Sequence, residues 1–269
     1  LSGSLLDLST FEIPDLAAQL IGLYLFNVQQ LGQSTAELHC ALASGAESPD
    51  FTPQPFSSLY QRSLYQQSRN LTGRVFISLK ERLDTLPSTI QLMAQAALDR
   101  HEESLERFRL MITHRITAQR IRCHGDYQLE QLLYTGKDFT VLNFEGDGRS
   151  LSGRCIKRSP LRDIASMLLS FHEASRVALA HQIETSRIRP ETLPLTEQWT
   201  EFWVSWVSAA FLKHYLATAQ PDRFLPQTHA EMAVLLEACL LEKAIINLGD
   251  CLSDPPDRAQ IWLQRLLQF

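Results

Sequence analysis

Positive charge is in the minority: 25 Lys and Arg stand against 30 Asp and Glu, a formal net charge of -5 at pH 7. Such a surface has no cationic field to neutralise nucleic-acid phosphates or to dock on anionic lipid, and neither partner is expected. Long apolar runs are missing as well. The longest, around Leu16 to Val28, is interrupted by Gln19, Gly22 and Asn27 and falls short of the roughly 18 unbroken apolar residues of a membrane span. Cysteine is sparse, and the five (Cys40, Cys123, Cys155, Cys239, Cys251) stand singly, with no C-x-x-C pair or histidine at ligand spacing. This argues against disulfides and zinc and for a reducing cytoplasm, where isolated thiols pack as small apolar groups. The Asn70-Leu71-Thr72 sequon is then a chance match. No basic segment precedes the first apolar stretch and the chain starts at Leu1, so it reads as a piece excised from a longer protein rather than one led by a signal peptide.

What is present suffices for a core of ordinary size, in one domain or two closely packed ones, with 45% hydrophobic and 20% charged residues. Asp15 to Ala43, Phe56 to Lys80 and Ile90 to Thr117 are apolar at helical spacing, separated by breaks at Pro49 to Pro55 and at Pro87. Between Gln131 and Phe144 the pattern changes to Leu132-Leu133-Tyr134, the turn residues Thr135-Gly136-Lys137-Asp138, and Phe139-Thr140-Val141-Leu142, which predicts a hairpin. After a loop rich in glycine and charge (Gly146 to Lys157), Ser159-Pro160 has the chemistry of a helix start: a hydroxyl to cap, and a proline with no N–H to satisfy. Further helices are expected at Thr196 to Thr218, His229 to Leu248 and Arg258 to Leu267. The class is α+β and predominantly α-helical, with one small central hairpin and no internal repeat.

The chemistry concentrates in His124-Gly125-Asp126-Tyr127-Gln128-Leu129-Glu130-Gln131, followed across the hairpin by Asn143-Phe144-Glu145-Gly146. Kinase-like phosphotransferases need a carboxylate to orient the attacking hydroxyl and accept its proton. They also need oxygen ligands, one just past that loop and one after the next strand, to hold magnesium on the phosphates. Asp126, Gln131 and the turn from Asn143 to Glu145 stand at those positions, and a hairpin brings its two ends side by side.

At this point the sequence resembles the maltokinases, including the form fused behind trehalose synthase, which share the lobe architecture of aminoglycoside phosphotransferases and protein kinases. The resemblance runs through nearly all 269 residues. It is carried also by Thr35-Ala36-Glu37-Leu38-His39, Leu59-Tyr60-Gln61-Arg62-Ser63-Leu64-Tyr65, Arg69-Asn70-Leu71-Thr72-Gly73-Arg74, Tyr134-Thr135-Gly136-Lys137-Asp138-Phe139, Ser159-Pro160-Leu161-Arg162-Asp163 and Leu241-Glu242-Lys243-Ala244. The resemblance implies that residues 1–269 form a single C-terminal, catalytic-loop lobe of a protein-kinase-like fold. The intact protein would move the γ-phosphate of ATP, with Mg2+, to the anomeric hydroxyl of maltose or a related small sugar, feeding glycogen and other α-glucan synthesis. Asp126 would be the base, Gln131, Asn143 and Glu145 the metal ligands, and His124 and Asp163 the braces of the catalytic loop. No glycine-rich phosphate loop and no Val-Ala-x-Lys-like strand occurs, so the lobe that grips ATP is expected upstream, perforce with weak ATP binding by this chain alone.

The chain departs from the family pattern where it matters. Asn143-Phe144-Glu145 stands for the usual Asp-Phe-Glu, exchanging an anionic ligand for a neutral carbonyl oxygen, and magnesium prefers the former. Gln128 and Glu130 replace the His and Gly of H-G-D-Y-H-L-G-Q, and Ile246 to Pro256 does not follow the family's Tyr-Glu-Leu-Gly-Tyr-Glu-Leu-Asn-Asn-Arg-Pro. An active sugar kinase, a degenerate lobe that binds sugar or supports a fused trehalose synthase domain, and a kinase for another small hydroxyl compound therefore all remain open.

Several side chains have plainer readings. Asp163, inside the helix begun by Ser159-Pro160, either complements the positive helix end or accepts N–H groups of the catalytic loop. Trp199, Trp203 and Trp206 fall on one helical face, as core or as a sugar-stacking platform, with Trp203 the substrate-binding candidate. Glu242 and Lys243 form a surface pair or reach a sugar; Lys243 is the second substrate candidate. Tyr60, Arg62, Tyr65 and Arg69 read as packing and ion-pair residues of a long helix.

Overall fold

The computed structural model describes residues 4–45, 48–144, 156–219, 224–253 and 256–269. Within them the chain is mostly helix: α1 (Leu5–Leu8), α2 (Asp15–Ile21), α3 (Leu23–Leu42), α4 (Ser58–Arg82), α5 (Ser88–Asp99), α6 (His101–Thr113), α7 (Leu161–Glu184), α8 (Leu193–Ala219), α9 (His229–Cys251) and α10 (Pro256–Leu267). None of these helices is long and apolar enough to cross a membrane.

Two helices expected as single rods are broken. The stretch from Asp15 stops at Gly22, whose φ of 62° and ψ of -138° are open to glycine and strained for other residues, before α3 resumes. The stretch from Ile90 breaks at Arg100 (φ -93°, ψ 16°), in the bridge region of backbone space. At the other extreme, α1 follows a capping box: Ser4 Oγ accepts the Asp7 N–H at 3.1 Å, and the Asp7 carboxylate accepts the Ser4 N–H at 3.3 Å.

The chain packs as two compact units, each drawn from two separated stretches: Leu1–Gln54 with Gln119–Leu225, and Pro55–Ala118 with Pro226–Phe269. In the first, α3 lies along α8, and α7 packs on α8 as well. The approach of α3 to α8 is backbone to backbone at Gly32, where a Cβ would overlap the carbonyl oxygen of Phe211. Phe171 of α7 meets Phe211 of α8 edge-on with ring centroids 5.8 Å apart, and both are fully buried. Each such aromatic stabilises the unit by about 1.5–3 kcal/mol relative to exposure.

In the second unit α4 packs on α6 and α9, and α10 packs on α9 and α5. Phe108, Leu79, Leu241, Leu248 and Trp262 are buried there. Ser57 Oγ caps α4 by accepting the Tyr60 N–H, and Lys80 and Arg82 occupy its last turn, where cations oppose the negative helix end.

The hairpin belongs to the first unit. Strands β1 (Leu132–Tyr134) and β2 (Phe139–Val141) pair antiparallel, with Leu132 opposite Val141, Leu133 opposite Thr140 and Tyr134 opposite Phe139. The Tyr134 and Phe139 rings sit 5.1 Å apart, a cross-strand aromatic pair of the kind that fixes register. Gly136 takes φ 89° in the turn, and Thr135 N–H donates to the Asp138 carbonyl at 2.9 Å.

Candidate functional site

The His124-to-Gln131 loop is built around one buried carboxylate. Asp163, in the first turn of α7, accepts the backbone N–H of His124 at 2.7 Å through Oδ2 and that of Gly125 at 2.9 Å through Oδ1. Gly125 has φ 89°, a conformation that lets two successive N–H groups turn toward the same side chain. Oδ2 also lies 3.3 Å from Nε2 of His39 in α3, and His39 Nδ1 lies 2.9 Å from the Tyr215 hydroxyl in α8. With Nε2–H donated to the carboxylate, Nδ1 is free to accept the tyrosine O–H. All three side chains are almost inaccessible to water.

Burial alone would raise the Asp163 carboxyl; the hydrogen bond from His39, with that from the Gly125 N–H, outweighs it and holds the group below the usual carboxylate value. Burial pushes the Tyr215 hydroxyl well up, so it stays protonated and able to donate. Burial likewise raises Tyr127, whose hydroxyl is 2.8 Å from Thr35 Oγ1, a second tie from this loop to α3. The Thr35 hydroxyl in turn donates to the Leu31 carbonyl at 2.6 Å.

His124 has a definite tautomer. Its Nε2 is 2.8 Å from the Leu142 carbonyl, which can only accept, while its Nδ1 accepts the Asp126 N–H at 3.3 Å. The neutral ring with the proton on Nε2 satisfies both and ties the loop to the chain leaving β2. That tie falls one residue before Asn143, which adopts a left-handed backbone (φ 52°) that asparagine and aspartate tolerate better than most residues.

Around Asp126 the side chains form a chain of amides. Gln128 Nε2 donates to Asp126 Oδ1 at 3.0 Å and Gln131 Nε2 to Oδ2 at 3.4 Å. The Gln131 Oε1 accepts from Asn143 Nδ2 at 2.8 Å. The hairpin thus brings Asp126, Gln131 and Asn143 together. Glu145 lies outside the described residues. No group of three His, Cys, Asp or Glu side chains is clustered for a metal among those described. The donor set is nonetheless oxygen-rich, with the Asp126 carboxylate and the amide oxygens of Gln131 and Asn143 close together, which suits hard magnesium and no soft metal.

Trp203 and Lys243 are the remaining sequence candidates. Trp203, with Trp199 and Tyr24, lines a groove of about 510 Å3 between α7 and α8, together with Ala174, Leu179 and Gln182. Those α7 residues follow Asp163 by 11 to 19 positions, which at 1.5 Å per residue is roughly 16–28 Å along the helix. Trp206 is buried, and Trp199 is 42% exposed, so the tryptophan face is part core and part surface. Lys243 is half-buried on α9 in the second unit.

His39 and Tyr215, which complete the Asp163 cluster, carry no role in the sequence reading. His39 lies 124 positions before Asp163 and Tyr215 lies 176 after His39, so no local pattern connects them. The available signal was His39 itself, polar among apolar α3 neighbours within one of the family-like stretches.

No protein-family model matches the chain. Among solved structures it is similar to glucosamine kinase in complex with glucosamine, ADP and inorganic phosphate, with a TM-score of 0.70 and 17% identity over 98% of this chain and 59% of that one. Two further crystal forms of glucosamine kinase match with TM-scores of 0.70 and 0.71, again at 17% identity, and 58% and 57% of their chains are covered. The chain therefore spans less than three-fifths of the structures it matches. It has the mostly helical fold, with small hairpins, of the C-terminal part of a kinase-like sugar kinase.

Proposed function

We propose that this chain is the catalytic-loop lobe of an ATP-dependent sugar kinase of the maltokinase type, completed by an ATP-gripping lobe elsewhere in a longer protein. The observation that carries the reading is the convergence of Asp126, Gln131 and Asn143 on a loop braced by Asp163. The similarity in fold to glucosamine kinase supports a small-sugar acceptor, and the family-like stretches of the sequence favour maltose over glucosamine.

In this reading Asp126 orients the acceptor hydroxyl and takes its proton as the oxygen attacks the γ-phosphorus. A new O–P bond forms, the bond from the γ-phosphorus to the β–γ bridging oxygen breaks, and ADP leaves. With maltose the product is maltose 1-phosphate. Gln128 and Gln131 fix the carboxylate plane by donating to its two oxygens. Gln131, Asn143 and Glu145 would hold magnesium, which supplies charge neutralisation on the phosphates. His124 keeps the hairpin end beside the loop through Leu142.

A second reading has one specific observation in its favour. Asn143 donates an N–H to Gln131, closing a neutral amide chain where the family carries an anionic ligand. That arrangement suits a lobe with weakened phosphoryl transfer that binds sugar or steadies a fused domain. The test is an acceptor panel for the full-length parent protein with ATP and magnesium or manganese. Phosphorylation of maltose in preference to glucosamine supports the first reading; sugar binding without transfer under either metal supports the second.

A further inference from the structure

The α4 helix is cationic in an acidic protein: Arg62, Arg69, Arg74, Lys80 and Arg82 stand against Glu81 as its one acidic residue. With α6 it walls an open groove of about 860 Å3, within the size range of small-molecule sites, lined among others by Tyr65, Arg69, Asn70, Gly73, Arg74 and Leu105. Most charges that line it are paired at home. Arg109 is held by Glu106 at 2.6 Å and by the Tyr65 hydroxyl, and His101 lies 3.2 Å from Glu102. Arg69 and Arg74 are different: among the described residues no carboxylate pairs with either, although Glu102 and Glu106 line the same groove.

Gly73 lies between the two arginines on the groove floor. A glycine inside a helix is less favourable than an alanine there. Close packing gives no reason for it here, because a Cβ at this position would meet nothing within 4 Å, and the backbone is not at positive φ. The absent side chain instead leaves helix backbone bare beneath open space, in a groove also lined by Arg69 and Arg74, five positions apart or about 7.5 Å of helix rise. Two arginine forks over a bare floor suit a tetrahedral dianion, which accepts bidentate, charge-assisted hydrogen bonds from both sides. The groove is far larger than a bare phosphate, and Tyr65, Asn70 and Leu105 offer an aromatic edge, an amide and an apolar wall beside it.

We propose that this groove is a binding site for a phosphate monoester, with the phosphate between Arg69 and Arg74 above Gly73 and the organic part along Tyr65 and Asn70. The site lies wholly within the second unit and does not depend on the kinase reading.

Calorimetric titration of the full chain with glucose 6-phosphate, inorganic phosphate and glucose tests it. The expected order is saturable binding of the ester, weaker binding of inorganic phosphate and none of glucose. The double variant Arg69→Gln/Arg74→Gln should weaken the ester by more than about tenfold, while Arg62→Gln, on the same helix outside the groove, leaves it unchanged. Gly73→Leu should keep or raise the thermal midpoint and abolish binding. Absence of saturable ester binding at millimolar concentration, equal loss in Arg62→Gln, or full binding in Gly73→Leu would each overturn the proposal.

Discussion

The Nε2–H of His124 donates to the carbonyl of Leu142 at 2.8 Å, joining the loop that carries Asp126 to the chain segment that carries Asn143. Asp163 fixes the other side of the same loop by accepting the His124 and Gly125 N–H groups. The candidate site is therefore held by a histidine ring on one flank and a buried carboxylate on the other, and its side chains need only local freedom.

Removing the carboxylate should be costly. Asp163→Ala leaves two buried N–H groups and the His39 ring without their acceptor, and losing one partner of a buried charged cluster costs about 3–5 kcal/mol. Asp163→Asn retains one acceptor oxygen but turns an NH2 toward a donor, for an expected loss of about 1–3 kcal/mol. Urea unfolding of the three proteins, with unchanged m-values, gives these differences; a loss under about half a kcal/mol for Asp163→Ala would remove Asp163 from the role of brace.

The same carboxylate sets a pH dependence. Its folded pKa lies below the unfolded value of about 3.9, so the unfolded chain binds more protons in the window between the two. Its contribution to stability is complete above the unfolded value and is lost as pH falls through the folded one. The difference in unfolding free energy between the wild type and Asp163→Asn should therefore be flat near neutrality and shrink as pH falls below about 4. A difference that grows on acidification contradicts the assignment.

Gly32 tests the packing that positions His39. A Cβ there overlaps the Phe211 carbonyl, so Gly32→Ala must push α3 from α8 and should destabilise by about 1–3 kcal/mol despite alanine's better helix propensity. Gly73→Ala, in open space on α4, should be neutral or stabilising in the same thermal melt.

At Asn143 the substitution to aspartate adds no backbone strain, because both residues tolerate the left-handed conformation. It replaces the N–H that now occupies Gln131 Oε1 with an anionic oxygen. The magnesium concentration for half-maximal phosphoryl transfer by the parent protein should fall on the order of tenfold in Asn143→Asp. An unchanged metal requirement would mean that residue 143 does not face the metal.

The sequence made the local features legible and left the distant ones hidden. The hairpin is readable to within one residue, its second strand ending at Val141 rather than Leu142, because alternation and turn chemistry are short-range signals. The loop bearing Asp126 was readable for the same reason. The breaks at Gly22 and Arg100 were not, because apolar spacing continues through each while only the backbone angles change. The α1 capping box is legible in Ser4 and Asp7, three positions apart. The division into two units, each assembled from two separated stretches, leaves no linker composition to detect. His39 and Tyr215 joined Asp163 only through the packing of α3, α7 and α8.

The most direct test of the account is ATP-dependent phosphoryl transfer to maltose by the full-length parent protein beside its Asp126→Ala variant, followed by phosphorus NMR of the sugar phosphate. The account predicts transfer by the parent and a loss of about 10²–10⁴-fold in kcat for the variant. Transfer that survives the substitution, or a parent protein that phosphorylates no sugar with magnesium or manganese, would contradict it.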